Sequence, residues 1–280
     1  MKVSGRLRRA ARGALFGALL AAILAFALFP LYYALVTSVT PSGELFRAAL
    51  VPPGWTLEHY RGVLAGPFLR AILNSALVAA AVAALSVALA LGAGYALARI
   101  PFRGRHGVLL AILSVSMFPQ IAVLAGMFEL VRGLGLFDSL GALVLSYLIL
   151  ALPFAAWVLT TFARGVPREL EEAAALDGAG PLRTIARVFV PLLRPGLVAI
   201  GLLVFVTAWN EFLFALTFTL SDAQRTVPVA IALLSGASAY ELPWGAIMAA
   251  AVVVTLPIVA LALAFQRHIV SGLLAGATKG

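Results

Sequence analysis

Six runs of apolar residues, each long enough to cross a lipid bilayer, constrain this chain more than any other feature. They cover about residues 14–36, 71–98, 108–131, 142–163, 197–220 and 244–265. A helix needs roughly 20 residues to span a hydrocarbon layer about 30 Å thick, and each run supplies them. The runs are continuous rather than alternating in polarity, which selects helices over a barrel. The fold class is therefore all-α, a polytopic membrane protein with six transmembrane helices. A soluble core of 280 residues has no use for 63% hydrophobic residues at a mean hydropathy of +1.07.

The basic residues orient these spans. Lys2, Arg6, Arg8, Arg9 and Arg12 precede the first run. Ala25-Phe26-Ala27 resembles a signal-peptide cleavage site, but the run continues well past the roughly 7–15 apolar residues of a signal core, so an uncleaved first span is expected. An even number of spans puts both termini on one side. If that side is the cytoplasm, only Arg47, Arg61, Arg70, Arg132 and Arg225 of the 20 Lys and Arg residues fall outside it, as the positive-inside rule requires. The expected organisation is a cytoplasmic N-terminus over 1–13, a membrane domain over 14–265 with its main cytoplasmic connection at 164–196, and a cytoplasmic tail over 266–280. The net charge of +9 is thus a matter of topology and membrane lipid; no aromatic-basic groove for nucleic acid is readable.

One polar island interrupts the apolar pattern, from Pro167 to Pro195. Pro167 can open a helix whose first turn holds Glu169, Glu171 and Glu172, where carboxylates favour the positive end of the helix dipole. Gly178 and Gly180 stop it. Pro181 can start a second, amphipathic helix, with Leu182, Ile185, Ala186 and Phe189 on one face and Arg183 and Arg187 on another. With Asp177, the three glutamates are the only acids on the cytoplasmic side, so this loop offers carboxylates and small residues to a partner in water.

Covalent chemistry is not expected. His59, His106 and His268 fall on three different connections, there are no cysteines, and neither a phosphate-binding Gly-rich loop nor a metalloprotease or serine-hydrolase motif occurs. No metal is expected. Glu211, in Ala208-Trp209-Asn210-Glu211-Phe212, is the one acid well inside a run, and an ionised group there needs water or a partner; a pathway or gate residue and a structural hydrogen bond are both open. Asn74, Asn210 and Gln120 are polar residues that could line a channel or bond across helices, and Glu129 lies near a helix end. Pro30, Pro119, Pro153 and Pro257 fall inside spans, as kinks or as points that bend during transport.

Glu172-Ala173-Ala174, three residues, Gly178, nine residues, and Val188-Phe189-Val190-Pro191 together resemble the E-A-A, Gly, I-x-L-P loop of ABC-importer permeases, with Val188 and Val190 where Ile and Leu are usual. Trp209-Asn210-Glu211-Phe212, Arg225-Thr226-Val227-Pro228 and the end from Gln266 through Lys279-Gly280 look like the smaller permease of maltose-type carbohydrate importers. The resemblance covers nearly the whole chain. It implies a type I importer permease fold in a bacterial or archaeal cytoplasmic membrane. It further implies a second, homologous permease, two ATPase subunits that bind the ATP and Mg, and an extracytoplasmic sugar-binding protein; this chain itself would hold no cofactor. The coupling loop would be formed by Glu171, Glu172, Ala173, Ala174, Asp177 and Gly178. The tail, with Ser271, Gly272, Lys279 and Gly280, would reach between the ATPases, and residues 221–243 would meet the binding protein. Maltose, trehalose or a related oligosaccharide is the expected cargo. A glycerol phosphate carried by the same family, or an ion-coupled carrier without any ATPase, is the alternative.

Overall fold

The computed structural model describes residues 2–47, 49–234 and 242–277, and all regular structure among them is helical. In chain order the helices are α1 (Lys2–Ser38), α2 (Glu58–Leu64), α3 (Phe68–Arg99), α4 (Arg105–Ser116), α5 (Gln120–Gly133) and α6 (Leu140–Arg164). They continue with α7 (Glu169–Leu176), α8 (Pro181–Thr184), α9 (Val190–Trp209), α10 (Leu213–Phe218), α11 (Val227–Ala232) and α12 (Trp244–Ala277). By length and hydropathy α1, α3, α6, α12 and the α8–α9 stack can each cross a membrane. Pro30, Pro153 and Pro257 stay within α1, α6 and α12.

The third apolar run does not form the single helix expected over 108–131. It breaks into α4 and α5, which are bent by 95°. Pro119 is the cause: it has no N–H to donate, and its ring cannot coexist with a helical carbonyl four residues earlier. α4 closes with tightened bonds, Met117 N to Ser114 O and Phe118 N to Val115 O, and Pro119 then sits in an extended conformation before α5. The fifth run is also displaced. Its long helix ends at Trp209, and Asn210–Phe212 form a break before α10, so Glu211 stands at a helix end. Nor is the amphipathic helix after Pro181 separate, because a π-helical turn over Ile185–Phe189 fuses α8 to α9.

Two compact units divide the chain. One comprises residues 1–66 and 234–255. Within it the loop after α1 is tied by polar contacts: the Ser38 and Tyr60 hydroxyls lie 2.7 Å apart, His59 Nε2 is 2.9 Å from the Thr40 carbonyl, and Thr56 N donates to Val39 O. Leu15, Phe16, Ile23 and Phe26 on α1 are exposed, a surface suited to lipid.

The other unit comprises residues 67–233 and 256–280. Its core is α3 packed on α6 and α9 through small residues, among them Ala71, Ala79, Ala90 and Gly94 on α3 and Ala142, Ala155, Ala156 and Ala163 on α6. In lipid, helices gain by close backbone approach rather than by escape from water, so small residues belong at such contacts. At Gly94 the approach is closest, since a Cβ there would stand 3.0 Å from Leu159 C and Thr160 N. Buried Ser146 and Thr160 return their hydroxyl hydrogens to Ala142 O and Ala156 O and so add no unsatisfied donor.

Candidate functional site

The polar island folds as the short helix α7, a glycine bend, and the α8–α9 stack. Glu169, Glu171 and Glu172 occupy the first turn of α7, where they complement its dipole. The helix closes in a Schellman arrangement: Ala179 N donates to Ala174 O, Gly178 N donates to Ala175 O, and Gly178 adopts φ +76. Only a residue without Cβ takes that conformation at little cost, which is why the turn falls at glycine. Pro181 then opens α8, where its missing N–H costs nothing.

The acids of this loop are not equivalent. Glu171 is largely buried and pairs with Arg99, the last residue of α3. Arg99 Nη2 also donates to the Val166 carbonyl at 2.5 Å, and its guanidinium lies over the Phe189 ring, 5.3 Å from the centroid. Tyr95 meets the same ring edge-on, and Ala98, Ala163, Val166, Phe189 and Leu193 form the apolar cluster beneath. Glu172, Ala173, Asp177 and Gly178 are exposed, and Ala174 is half-buried. Leu176 and Leu182, on either side of the bend, are 90% and 83% exposed. Sequence reasoning treated Arg99 as one more cytoplasmic charge. Its position in the last turn of an apolar helix was the available signal, but nothing in the sequence named Glu171 as its partner.

A second polar cluster forms where the two helix breaks meet. Gln120, the first residue of α5, donates through Nε2 to Glu211 Oε1 at 2.5 Å. Glu211 is 8% exposed and also accepts from Phe214 N and Ala215 N, at 2.8 and 3.1 Å, which caps α10. The buried Tyr147 hydroxyl faces Glu211 and Thr226 without a well-formed bond to either. Asn210 does not join this cluster: its amide donates to Val206 O of its own helix. Asn74 is elsewhere again, donating to Ala223 O and Arg225 O, while Ser75 accepts from Val227 N; together they anchor the strap before α11. A further anchor is Asp138, whose carboxylate accepts from Leu220 N and Ser221 N. Those two bonds hold its pKa below the ordinary aspartate value.

Of the tail, Ser271 and Gly272 lie within α12, whereas Lys279 and Gly280 lie outside the described residues, as do 235–241 of the stretch 221–243. Among the described residues no group of three His, Asp or Glu side chains could hold a metal.

Residues 84–274, from within α3 to within α12, match the family model described as binding-protein-dependent transport system inner membrane component. The chain belongs to this family. Near full-length relatives agree. This inner membrane component is 40% identical over 92% of its length to the trehalose transport system permease protein SugB of Mycobacterium tuberculosis, covering 94% of that protein. It is 41% identical over 95% of its length to the trehalose/maltose transport system permease protein MalG of Thermococcus litoralis, covering 96% of it. With the sulfoquinovosyl glycerol transport system permease protein SmoH of Agrobacterium fabrum the identity is 40% over 92% of this chain and 91% of the other. Its fold is also that of a chain in the crystal structure of a bacterial ABC transporter involved in import of the acidic polysaccharide alginate, at a TM-score of 0.80 and 21% identity, covering 92% of this chain and 96% of that one. The matched residues of this inner membrane component include both the α7 loop and the Gln120–Glu211 cluster.

Proposed function

We propose that this chain is a permease subunit of an ATP-driven importer that takes a sugar of the trehalose or maltose class from an extracytoplasmic binding protein and passes it to the cytoplasm. Similarity over nearly the full length of two permeases named for trehalose, one of them also for maltose, supports the cargo class. The observation that carries the coupling is the state of the α7 bend. Leu176 and Leu182 stand out from the surface beside exposed Glu172 and Asp177. Covering one such leucine is worth about 1.5–3 kcal/mol, so the bend is built to be covered, and its carboxylates suit a basic cleft on a cytoplasmic ATPase.

In this reading a second permease completes the pathway, and two ATPase subunits hold the ATP and Mg. Both termini face the cytoplasm, in line with the arginines around them. ATPase closure moves α7, and the bundle shifts between inward- and outward-open states. Gln120 and Glu211, at the meeting of two interrupted helices, border the pathway, as polar groups at such breaks do in other transporters. Ser271 through Gly280 reach toward the ATPases.

The test is purification of the tagged chain with its companions in mild detergent, followed by ATP-dependent uptake of radiolabelled trehalose and maltose into proteoliposomes without an ion gradient. Retention of an ATPase, its loss with Glu172→Lys, and uptake of either sugar are expected. A chain that purifies alone and transports only on an ion gradient overturns the proposal.

A further inference from the structure

We infer that Arg99 is a positioning residue that fixes the α7 loop rigidly to the end of α3, so that a push on the loop enters the membrane bundle through α3. The inference rests on the coupling role proposed above and assigns different tasks to adjacent acids: Glu172 for the partner, Glu171 for the bundle. Arg99 binds three separate parts of the loop's surroundings at once. Its Nε faces Glu171 of α7, its Nη2 holds the Val166 carbonyl between α6 and α7, and its guanidinium face covers Phe189 in the π-helical turn that leads into α9.

The chemistry requires arginine. Its planar group can serve a carboxylate and a carbonyl from one edge while its face lies on an aromatic ring; a lysine ammonium is a point charge on a flexible stem. The site is also dry. The Arg99 and Glu171 side chains are 9% and 17% exposed, and Phe189 has no exposed surface. Arg99 Nε and Glu171 Oε1 face each other as an ion pair and both atoms are sealed from solvent, so water does not compete for either. A pair at this burial is screened far less than a surface pair.

The end of α3 is the right place for such a tie. α3 packs along both α6 and α9, so displacement of its terminus is shared by the whole core of that unit. Without Arg99, the loop would keep its exposed docking face but could slide over the bundle beneath it.

This chain has no cysteine of its own, so in a complex whose other subunits have had their cysteines replaced a label reports only the positions chosen. Cysteines placed at exposed Phe102 and Ala175 in the full complex carry spin labels, and their separation is measured in the resting and the vanadate-trapped states. The expected result is an unchanged separation in the otherwise unaltered chain. In Arg99→Gln the separation should broaden or shift between states, and sugar taken up per ATP hydrolysed should fall about tenfold while the ATPase stays bound. Arg99→Lys should give intermediate coupling. A separation that changes between states in the unaltered chain, or Arg99→Gln with normal uptake per ATP, overturns this inference and leaves the importer reading standing. The label measurement decides the question even if Arg99→Gln fails to assemble. An unaltered chain that retains no ATPase overturns the importer reading, and this inference with it.

Discussion

The amide of Gln120 reaches Glu211 at the junction of two interrupted helices, and each residue lies at a helix start that proline or loop geometry has left short of hydrogen bonds. Glu211 alone accepts three bonds there, from Gln120 Nε2, Phe214 N and Ala215 N. Glu211→Ala leaves two backbone N–H groups and one amide without their acceptor and should cost about 1–3 kcal/mol. Thermal unfolding of the purified chain in detergent measures it. A double-mutant cycle with Gln120→Ala should show the two substitutions costing less together than the sum of each alone; additive costs would mean that the side chains are not coupled.

At Gly178 the expected ranking does not follow size. φ is +76, yet nothing lies within 4 Å of a Cβ built there. The penalty is therefore conformational, about 1–2 kcal/mol for most residues, and smaller for asparagine, which tolerates the left-handed region. Gly178→Asn should retain more uptake per ATP than Gly178→Ala, and Gly178→Val should retain least, with membrane insertion unaffected in all three. A ranking by side-chain volume, with alanine best, would place the constraint in a partner's cleft rather than in the turn.

Two glycines on α3 should respond in opposite senses to the same change. Gly94→Ala forces a methyl against the backbone of α6 and should destabilise by about 1–3 kcal/mol. Gly92 has nothing within 4 Å, so Gly92→Ala should be neutral or stabilising by up to about 1 kcal/mol through its helix propensity. Melting temperatures of the two variants in one detergent compare them directly.

Asp138 predicts an acid-side effect. Its pKa is lowered in the folded chain by the Ser221 and Leu220 N–H groups, so its contribution is present above the unfolded value of about 3.9 and is lost as pH falls through the lower folded value. Below pH of roughly 4 the unaltered chain should therefore lose stability more steeply than Asp138→Asn, which accommodates the same backbone at φ +56 but carries no charge. The difference should be small, because Asp138 is only half-buried and its carboxylate stays partly screened by solvent. Parallel acid melting curves would remove Asp138 from the account.

Much of this architecture is legible in the residue pattern, since lipid permits so few backbone solutions. The apolar runs, the Pro167–Pro195 island, the acids of its first turn and the glycine that ends it all follow from local rules. The failures come from context. Pro119 reads like Pro30, Pro153 and Pro257, yet only Pro119 separates two helices; the others are absorbed where the surrounding helix continues. Glu211 reads as an acid inside a continuous span, and the structure instead places it in the break after α9, where it caps the start of α10. Arg99 and Glu171 are far apart in the chain, and their pairing depends on α6 returning beside α3, which no local pattern encodes.

The length of α12 bears on how the chain leaves the membrane. Its 34 residues, at about 1.5 Å each, make a rod of about 50 Å, against a hydrocarbon layer of about 30 Å. No tilt in the ordinary range absorbs that excess, so at least two turns of the rod must stand clear of the oil. Chain that emerges as a helix keeps its amides bonded to one another across the boundary, where an extended strand would surrender them to headgroups and water. The last helix thus leaves the oil with its backbone already satisfied and asks nothing of the headgroups at the crossing.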